Sequence, residues 1–180
     1  MEGWVPVPGT TSGRLVQSAL DLFGRDRYED VSVQAIARHA EVTTGSLYHH
    51  FASKAGLYSL VRRDVERRVA DRLEGAAALQ GGGPRRELSA IVLVGFDYVV
   101  RAGLTRLLAQ EWPTEARSPD GDQLVAVIAE VVASPELGLL VGAAWRESLR
   151  MTAENPVAEA REALRTLLGT SLVPRPAGTR

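Results

Sequence analysis

The chain has 180 residues, a formal net charge of −1, 45% hydrophobic residues and no cysteine. This is enough apolar content for a real core in one or two small domains. It excludes disulfides, thiolate metal sites and a polyelectrolyte that binds nucleic acid through bulk charge, and it fits a reducing cytoplasm.

No segment joins a basic start, an apolar core and a cleavage site, so no secretory leader is expected. The most apolar run, 88–100, carries Asp97 and is too short to span a bilayer, so no membrane partner is expected either. Residues 1–10 contain Gly3, Pro6, Pro8 and Gly9 without periodicity and read as a loose arm. Thr11 or Ser12 can cap a first helix with the stripe Leu15, Ala19, Leu22, Phe23, ending near Arg27. Ser32 can cap a second helix with Ile36, Ala37 and Ala40 inward. Glu41-Val42 is a tight turn, and Thr43 can cap a short third helix.

That third helix lies in the run Thr43-Thr44-Gly45-Ser46-Leu47-Tyr48-His49-His50-Phe51-Ala52-Ser53-Lys54. Leu47 and Phe51, at i and i+4, are its only apolar pair facing one way. The rest are small hydroxyls, a phenol and two imidazoles, side chains suited to phosphate oxygens and base edges. Lys54 is the only lysine of the protein. If Ser53 caps the next helix, Lys54 sits in its first turn, where the helix dipole disfavours a cation. An anion shared with the free N–H groups of that helix end accounts for it.

A long helix is predicted over 53–75, with Leu57, Leu60, Val61, Val65, Val69 and Leu73 inward. Its arginines form a solvated face laced with pairs such as Asp64–Arg68 and Glu66–Arg62. Gly81-Gly82-Gly83-Pro84 is the clearest break. Beyond it, 87–101 reads as a buried central helix, 104–112 as a shorter piece and 113–122 as a loop. Helices follow over 123–133, from Pro135 to about 153, and from Pro156 to before Gly169, with a tail beyond. No segment alternates with period two, so the fold class is all-α. It divides into a three-helix unit over 1–53, a linking helix over 54–75, a C-terminal helical domain over 84–170, and a tail over 171–180.

Three helices with a turn between the second and third have the helix-turn-helix layout, in which the later helix enters the major groove. Residues 12–58 resemble the DNA-binding domain of the TetR family of bacterial transcriptional regulators. The likeness rests on Leu15-Val16-Gln17-Ser18-Ala19-Leu20-Asp21-Leu22-Phe23, on Val33-Gln34-Ala35-Ile36-Ala37 with Val42, on Gly45-Ser46-Leu47-Tyr48-His49-His50-Phe51, and on Ser53-Lys54 with Leu57. The resemblance implies that Thr44, Gly45, Ser46 and Tyr48 face the groove. It implies that Gln34 reaches a base or a nearby phosphate, and that Ser32, His50 and Lys54 contact phosphate. With Thr43 and His49 these make the candidate DNA-binding set. Three positions depart from the family pattern: Arg27 and Glu41 stand where glycine is usual, and Gly56 stands where an acidic capping residue is usual.

The reading that follows is a ligand-responsive repressor that binds a double-stranded palindromic operator as a homodimer and is released by a small-molecule effector. A helical protein-interaction module without DNA binding and a small helical enzyme are the alternatives. No Ser/His/Asp set, paired carboxylates or phosphate loop carries catalysis, and no cofactor is implied. His49 and His50 are adjacent, project about 100° apart on a helix and do not converge with His39 on a metal. Asp97, in an apolar helix, needs either a partner such as Arg101 one turn on or a role as polar anchor of a ligand cavity. Phe96, Trp112 and Trp145 are the aromatic candidates to line that cavity. Pattern and resemblance together give the dimerisation stripes: Leu137, Leu140, Val141 and Ala144 on one helix, and Ala160, Ala163, Leu164 and Leu167 on the next.

Overall fold

The structure, a computed structural model, describes residues 7, 9–80, 87–116 and 122–169. The glycine-proline break at 81–84, most of the N-terminal arm and the tail lie outside the described residues. Among those described there are α-helices and one 3-10 turn but no strand. The helices are α1 (Thr11–Arg25), α2 (Val33–His39), α3 (Thr44–Phe51), α4 (Lys54–Leu79), α5 (Leu88–Arg101), α6 (Thr105–Ala109), α7 (Gln123–Val132), α8 (Pro135–Met151) and α9 (Val157–Gly169), with the 3-10 turn at Thr114–Ala116.

The hydroxyl caps explain where the first helices begin. Ser32, Thr43 and Ser53 each stand in extended conformation and accept a main-chain N–H of the following turn. The first helix is capped one residue earlier than the sequence suggests. Thr10 Oγ1 accepts from Gly13 N at 3.1 Å, and Ser12, a candidate cap, is buried inside the helix. The helix α4 also outruns its expected end. Gly75 does not stop it, because Ala76, Ala77 and Ala78 are strong helix formers and carry it to Leu79. At 26 residues it is about 39 Å long, and it packs on α1 and α3 at one end and on α5 and α7 farther along.

One apolar cluster runs from Leu15 and Phe23 in α1, through Leu57, Val61, Val65 and Val69 of α4, to Ile91 and Phe96 of α5 and Leu164 of α9. The N-terminal helix-turn-helix unit and the C-terminal helical domain therefore share a continuous core along α4. Two close approaches fix the stacking. A Cβ on Gly95 would come within 2.9 Å of Val69 Cγ1, and one on Gly24 within 2.5 Å of the Gly103 carbonyl oxygen. The second approach seats the end of α1 against the turn between α5 and α6.

Candidate nucleic-acid interface

The third helix is held from one side only. Leu47 is fully buried and Phe51 nearly so, while Gly45, Tyr48, His49 and His50 are exposed, Tyr48 by 54%. Thr43 Oγ1 accepts from Ser46 N at 3.2 Å and lies 3.0 Å from Ser46 Oγ, so the capping hydroxyls also fix each other. Thr44 and Ser46 are half-buried on the flank. The face turned away from the protein thus carries the phenol and both imidazoles, with the Thr44 and Ser46 hydroxyls at its flank. The two imidazole rings meet edge to face at 5.0 Å, closer than their helical projection suggests. No group of three or more metal-ligating side chains forms among the described residues.

The turn before α3 is closed by Glu41 N donating to Arg38 O at 3.1 Å and Val42 N donating to Ala37 O at 2.9 Å. Glu41 takes φ +54°, the left-handed region that favours glycine. The glycine geometry is kept although the glycine is absent. The other two departures resolve differently. Arg27 needs no left-handed geometry, because Asp26 closes α1 in extended conformation. A Cβ at Gly56 would come within 2.3 Å of the Phe51 carbonyl oxygen, so the tight junction between α3 and α4 leaves no room there for an acidic side chain.

Ser32 and Gln34 are exposed at the start of α2. Ser32 Oγ already accepts from Ala35 N at 3.0 Å. The side chain of His39 leaves the interface and meets buried Ser18 of α1, Nδ1 to Oγ, at 3.0 Å.

The structure gives Lys54 an occupation that the sequence did not reveal. Its Nζ donates to the carbonyl oxygens of Tyr28, at 2.8 Å, and Val31, at 3.0 Å, and lies 3.9 Å from the centroid of the Tyr28 ring. Two main-chain dipoles and a ring face offset the unfavourable helix-dipole position without any bound anion. The ammonium closes the loop between α1 and α2 onto the start of α4.

In the C-terminal domain the four candidate ligand residues stand in different settings. Phe96 and Trp145 are fully buried core. Asp97 pairs with Arg161 rather than with Arg101: its two oxygens accept from Arg161 Nε and Nη2 across to α9 at 2.8 and 2.9 Å. Of the four, Trp112 alone lines the cleft of about 660 Å³ between the α1–α2 loop and the segment after α6, together with Arg27, Arg106, Gln110 and Arg150.

The pair Arg62–Glu66 forms as expected, but it is not part of a solvated face. Arg62 is 1% and Glu66 2% exposed. Arg62 Nε donates to Glu66 Oε1 at 3.0 Å, and Nη1 donates to Tyr58 Oη and to the Gln110 carbonyl oxygen, each at 2.9 Å. The guanidinium lies 4.7 Å from the Trp112 ring. The i, i+4, i+8 row Tyr58, Arg62, Glu66 beside the valine stripe was the available signal for this buried cluster.

The stripes assigned to dimerisation split. Val141, Ala160 and Leu164 face the protomer's own core, at 3%, 0% and 2% exposure. Within the protomer α8 packs on α7 and α9, and α9 packs on α5. Leu137 and Ala144 are half-buried. Leu140 and Leu167 remain outside at 67% and 52%, with Ala163 also exposed. Leu139 and Val157, exposed by 62% and 41%, join them and were not read from the pattern.

Residues 15–61 match the family described as bacterial regulatory proteins, tetR family. The match takes in 15–61 of the 180 residues, so the helix-turn-helix part of the chain is what is similar to the TetR family. Among its relatives is the HTH-type transcriptional regulator BetI of Klebsiella pneumoniae (strain 342), 34% identical over 85 residues, covering 47% of this chain and 44% of that protein. The HTH-type transcriptional repressor KstR of Mycolicibacterium smegmatis is 36% identical over 80 residues, covering 44% of this chain and 38% of that one. The chain thus matches less than half the length of these curated relatives. The TetR fold extends further. A putative tetR family transcription regulator from Shewanella sp. PV-4 superposes with a TM-score of 0.68 at 20% identity over 92% of this chain and 100% of its own. A TetR-like transcriptional regulator from Rhodococcus sp. RHA1 does so with a TM-score of 0.66 at 19% identity over 94% and 100%. No helix among the described residues is long and apolar enough to cross a membrane.

Proposed function

We propose that this chain is a cytoplasmic transcriptional repressor of the TetR family, not an enzyme, that binds a palindromic operator as a homodimer and is released by a small-molecule effector. The observation that carries the reading is the polarity of α3. Its apolar pair is buried and its exposed face offers Tyr48, His49, His50 and Gly45, while Thr43, Thr44 and Ser46 stand at its leading end. Ser32 and Gln34 are exposed at the start of α2. Such a face sets register through phosphates and reads sequence weakly through hydroxyls, with Gly45 allowing close backbone approach. The names BetI and KstR, both HTH-type transcriptional regulators or repressors, support the same reading.

One short recognition helix reads few base pairs, so two must lie about 34–36 Å apart in successive major grooves. The exposed leucines Leu139 and Leu140 of α8 and Leu167 of α9 support pairing of two copies through those helices. A ligand in the C-terminal domain, over 84–170, alters that spacing through α4, which serves both halves of the chain. Only a ligand with unequal affinity for the two spacings switches the protein.

The test is a mobility-shift titration of the full chain on the DNA upstream of its own operon, at several salt concentrations. Affinity should fall steeply with salt. The variant Tyr48→Ala should bind about tenfold more weakly, in line with the loss of a base contact. Equal binding by the variant and the parent chain overturns the assignment.

A further inference from the structure

We propose that Gln110 is a positioning residue: its side-chain carbonyl latches the helix-turn-helix to the C-terminal domain, and the buried Arg62 cluster sets where that latch stands. The proposal rests on the DNA-binding reading above and concerns its regulation.

The latch is a single long-range hydrogen bond. Tyr28 N, in the loop between α1 and α2, donates to Gln110 Oε1 at 3.1 Å, across 82 residues of sequence. Only the oxygen of the amide can accept from a main-chain N–H, so this contact fixes how the side chain is turned. The other side of the Tyr28 main chain is held as well, by Lys54 Nζ on its carbonyl oxygen. Tyr28 is therefore gripped from the C-terminal domain on one side and from the start of α4 on the other, and the chain leaving it runs directly into the Ser32 cap of α2 and on to α3.

Gln110 is tied at its other end to charge. It follows α6, a short helix that packs on both α1 and α8. Its main-chain carbonyl oxygen accepts from Arg62 Nη1, and the same guanidinium holds Glu66 and Tyr58 Oη. Any change that moves Arg62 therefore moves Gln110, and through it the loop that carries the DNA-binding helices. A bond that is either made or broken supplies the two-state element that coupling requires.

The amide also carries a cost that packing does not explain. Gln110 Nε2 is buried with no hydrogen-bond partner among the described residues. A side chain kept only to fill space is served better by methionine, which has no polar atom to desolvate. The acceptor oxygen is the reason for an amide at this place.

The test uses the full chain, whose lack of cysteine allows site-specific spin labels at Arg38→Cys on α2 and Glu130→Cys on α7. Both positions are exposed. Labelled protein is diluted with unlabelled protein so that each distance is internal to one protomer. We expect one narrow distance distribution in the parent chain, a broader one in Gln110→Met with unchanged helical circular dichroism, and recovery of the narrow one in Gln110→Glu, which keeps an acceptor. On upstream DNA, Gln110→Met should bind about fivefold more weakly, the loss of one neutral hydrogen bond. A parent-like distribution in Gln110→Met, or equal broadening in both variants, overturns the proposal. If Gln110→Met does not fold, amide exchange in the parent chain decides. A protected Tyr28 amide supports the latch, and exchange at the rate of an unstructured peptide overturns it. A parent chain that binds no DNA ends the repressor reading, while the distances and the exchange still judge the latch.

Discussion

Asp97 on α5 and Arg161 on α9 meet fork to fork, with both carboxylate oxygens accepting from the guanidinium at 2.8 and 2.9 Å. The pair is part-exposed, 28% for Asp97 and 40% for Arg161. Its bidentate geometry places it near the upper end for such pairs. The Asp97→Asn and Arg161→Ala variants should each lose about 1 kcal/mol of stability. The double variant should lose little more than either single one, because the same contact is removed. Urea midpoints of the four proteins measure this. An additive double variant shows that the two side chains work independently.

Glu41 holds a left-handed conformation at φ +54° in the turn between α2 and α3, and its side chain is exposed. Replacing it with glycine relieves that strain and removes a carboxylate beside the proposed DNA face. Glu41→Gly should therefore raise stability by about 1 kcal/mol, visible as a higher Tm. It should also tighten binding to upstream DNA, most clearly at low salt. A lower Tm shows that Glu41 makes contacts that outweigh the strain.

The parts of the site legible in the sequence are the local ones. The caps Ser32, Thr43 and Ser53 and the Leu47–Phe51 pair are set by neighbours within four residues, and the pattern showed them. Lys54 stood out as anomalous for a sound electrostatic reason, yet its answer was two unmarked main-chain carbonyls 23 and 26 residues away. Asp97 likewise needed a partner. Helical spacing offers only same-helix candidates such as Arg101, whereas the true one lies 64 residues on. For Arg62 and Glu66 the pairing was legible and the burial was not. Burial comes from Trp112 and Gln110, which approach α4 from a distant segment. On α8, Val141 is buried while Leu139 and Leu140 are exposed, because the helix also packs on α7 and α9 within the protomer.

Two roles for Lys54 make opposite forecasts. As a phosphate clamp, its loss lowers the slope of log affinity against log salt by about one and leaves the free protein unchanged. As the tie between the α1–α2 loop and α4, its loss frees two carbonyls and costs about 1–3 kcal/mol of stability. The observed bonds favour the second. Lys54→Met should therefore lower the Tm while leaving the salt slope of its residual DNA binding near that of the parent chain. A lower slope at unchanged Tm restores the phosphate role.

Tyr28 ties the same loop to pH. Burial, and then the Glu115 carboxylate that accepts from its hydroxyl, push its pKa from 10.0 to about 12. Burial also raises Tyr58, which meets Tyr28 edge to face at 4.8 Å. The sign follows from proton counting. Below pH 10 both folded and unfolded chains keep the Tyr28 proton, so this contribution is fully present there. Above pH 10 the unfolded chain releases it while the folded chain retains it up to about 12. Stability therefore declines with rising pH across that window. Urea midpoints taken at about pH 9 and about pH 11 should differ, and Tyr28→Phe should shrink the difference. Ultraviolet titration should show one late-ionising phenol more in the parent chain than in the variant, which keeps Tyr58. A midpoint that does not move between the two conditions shows that the Tyr28 phenol ionises alike in both states.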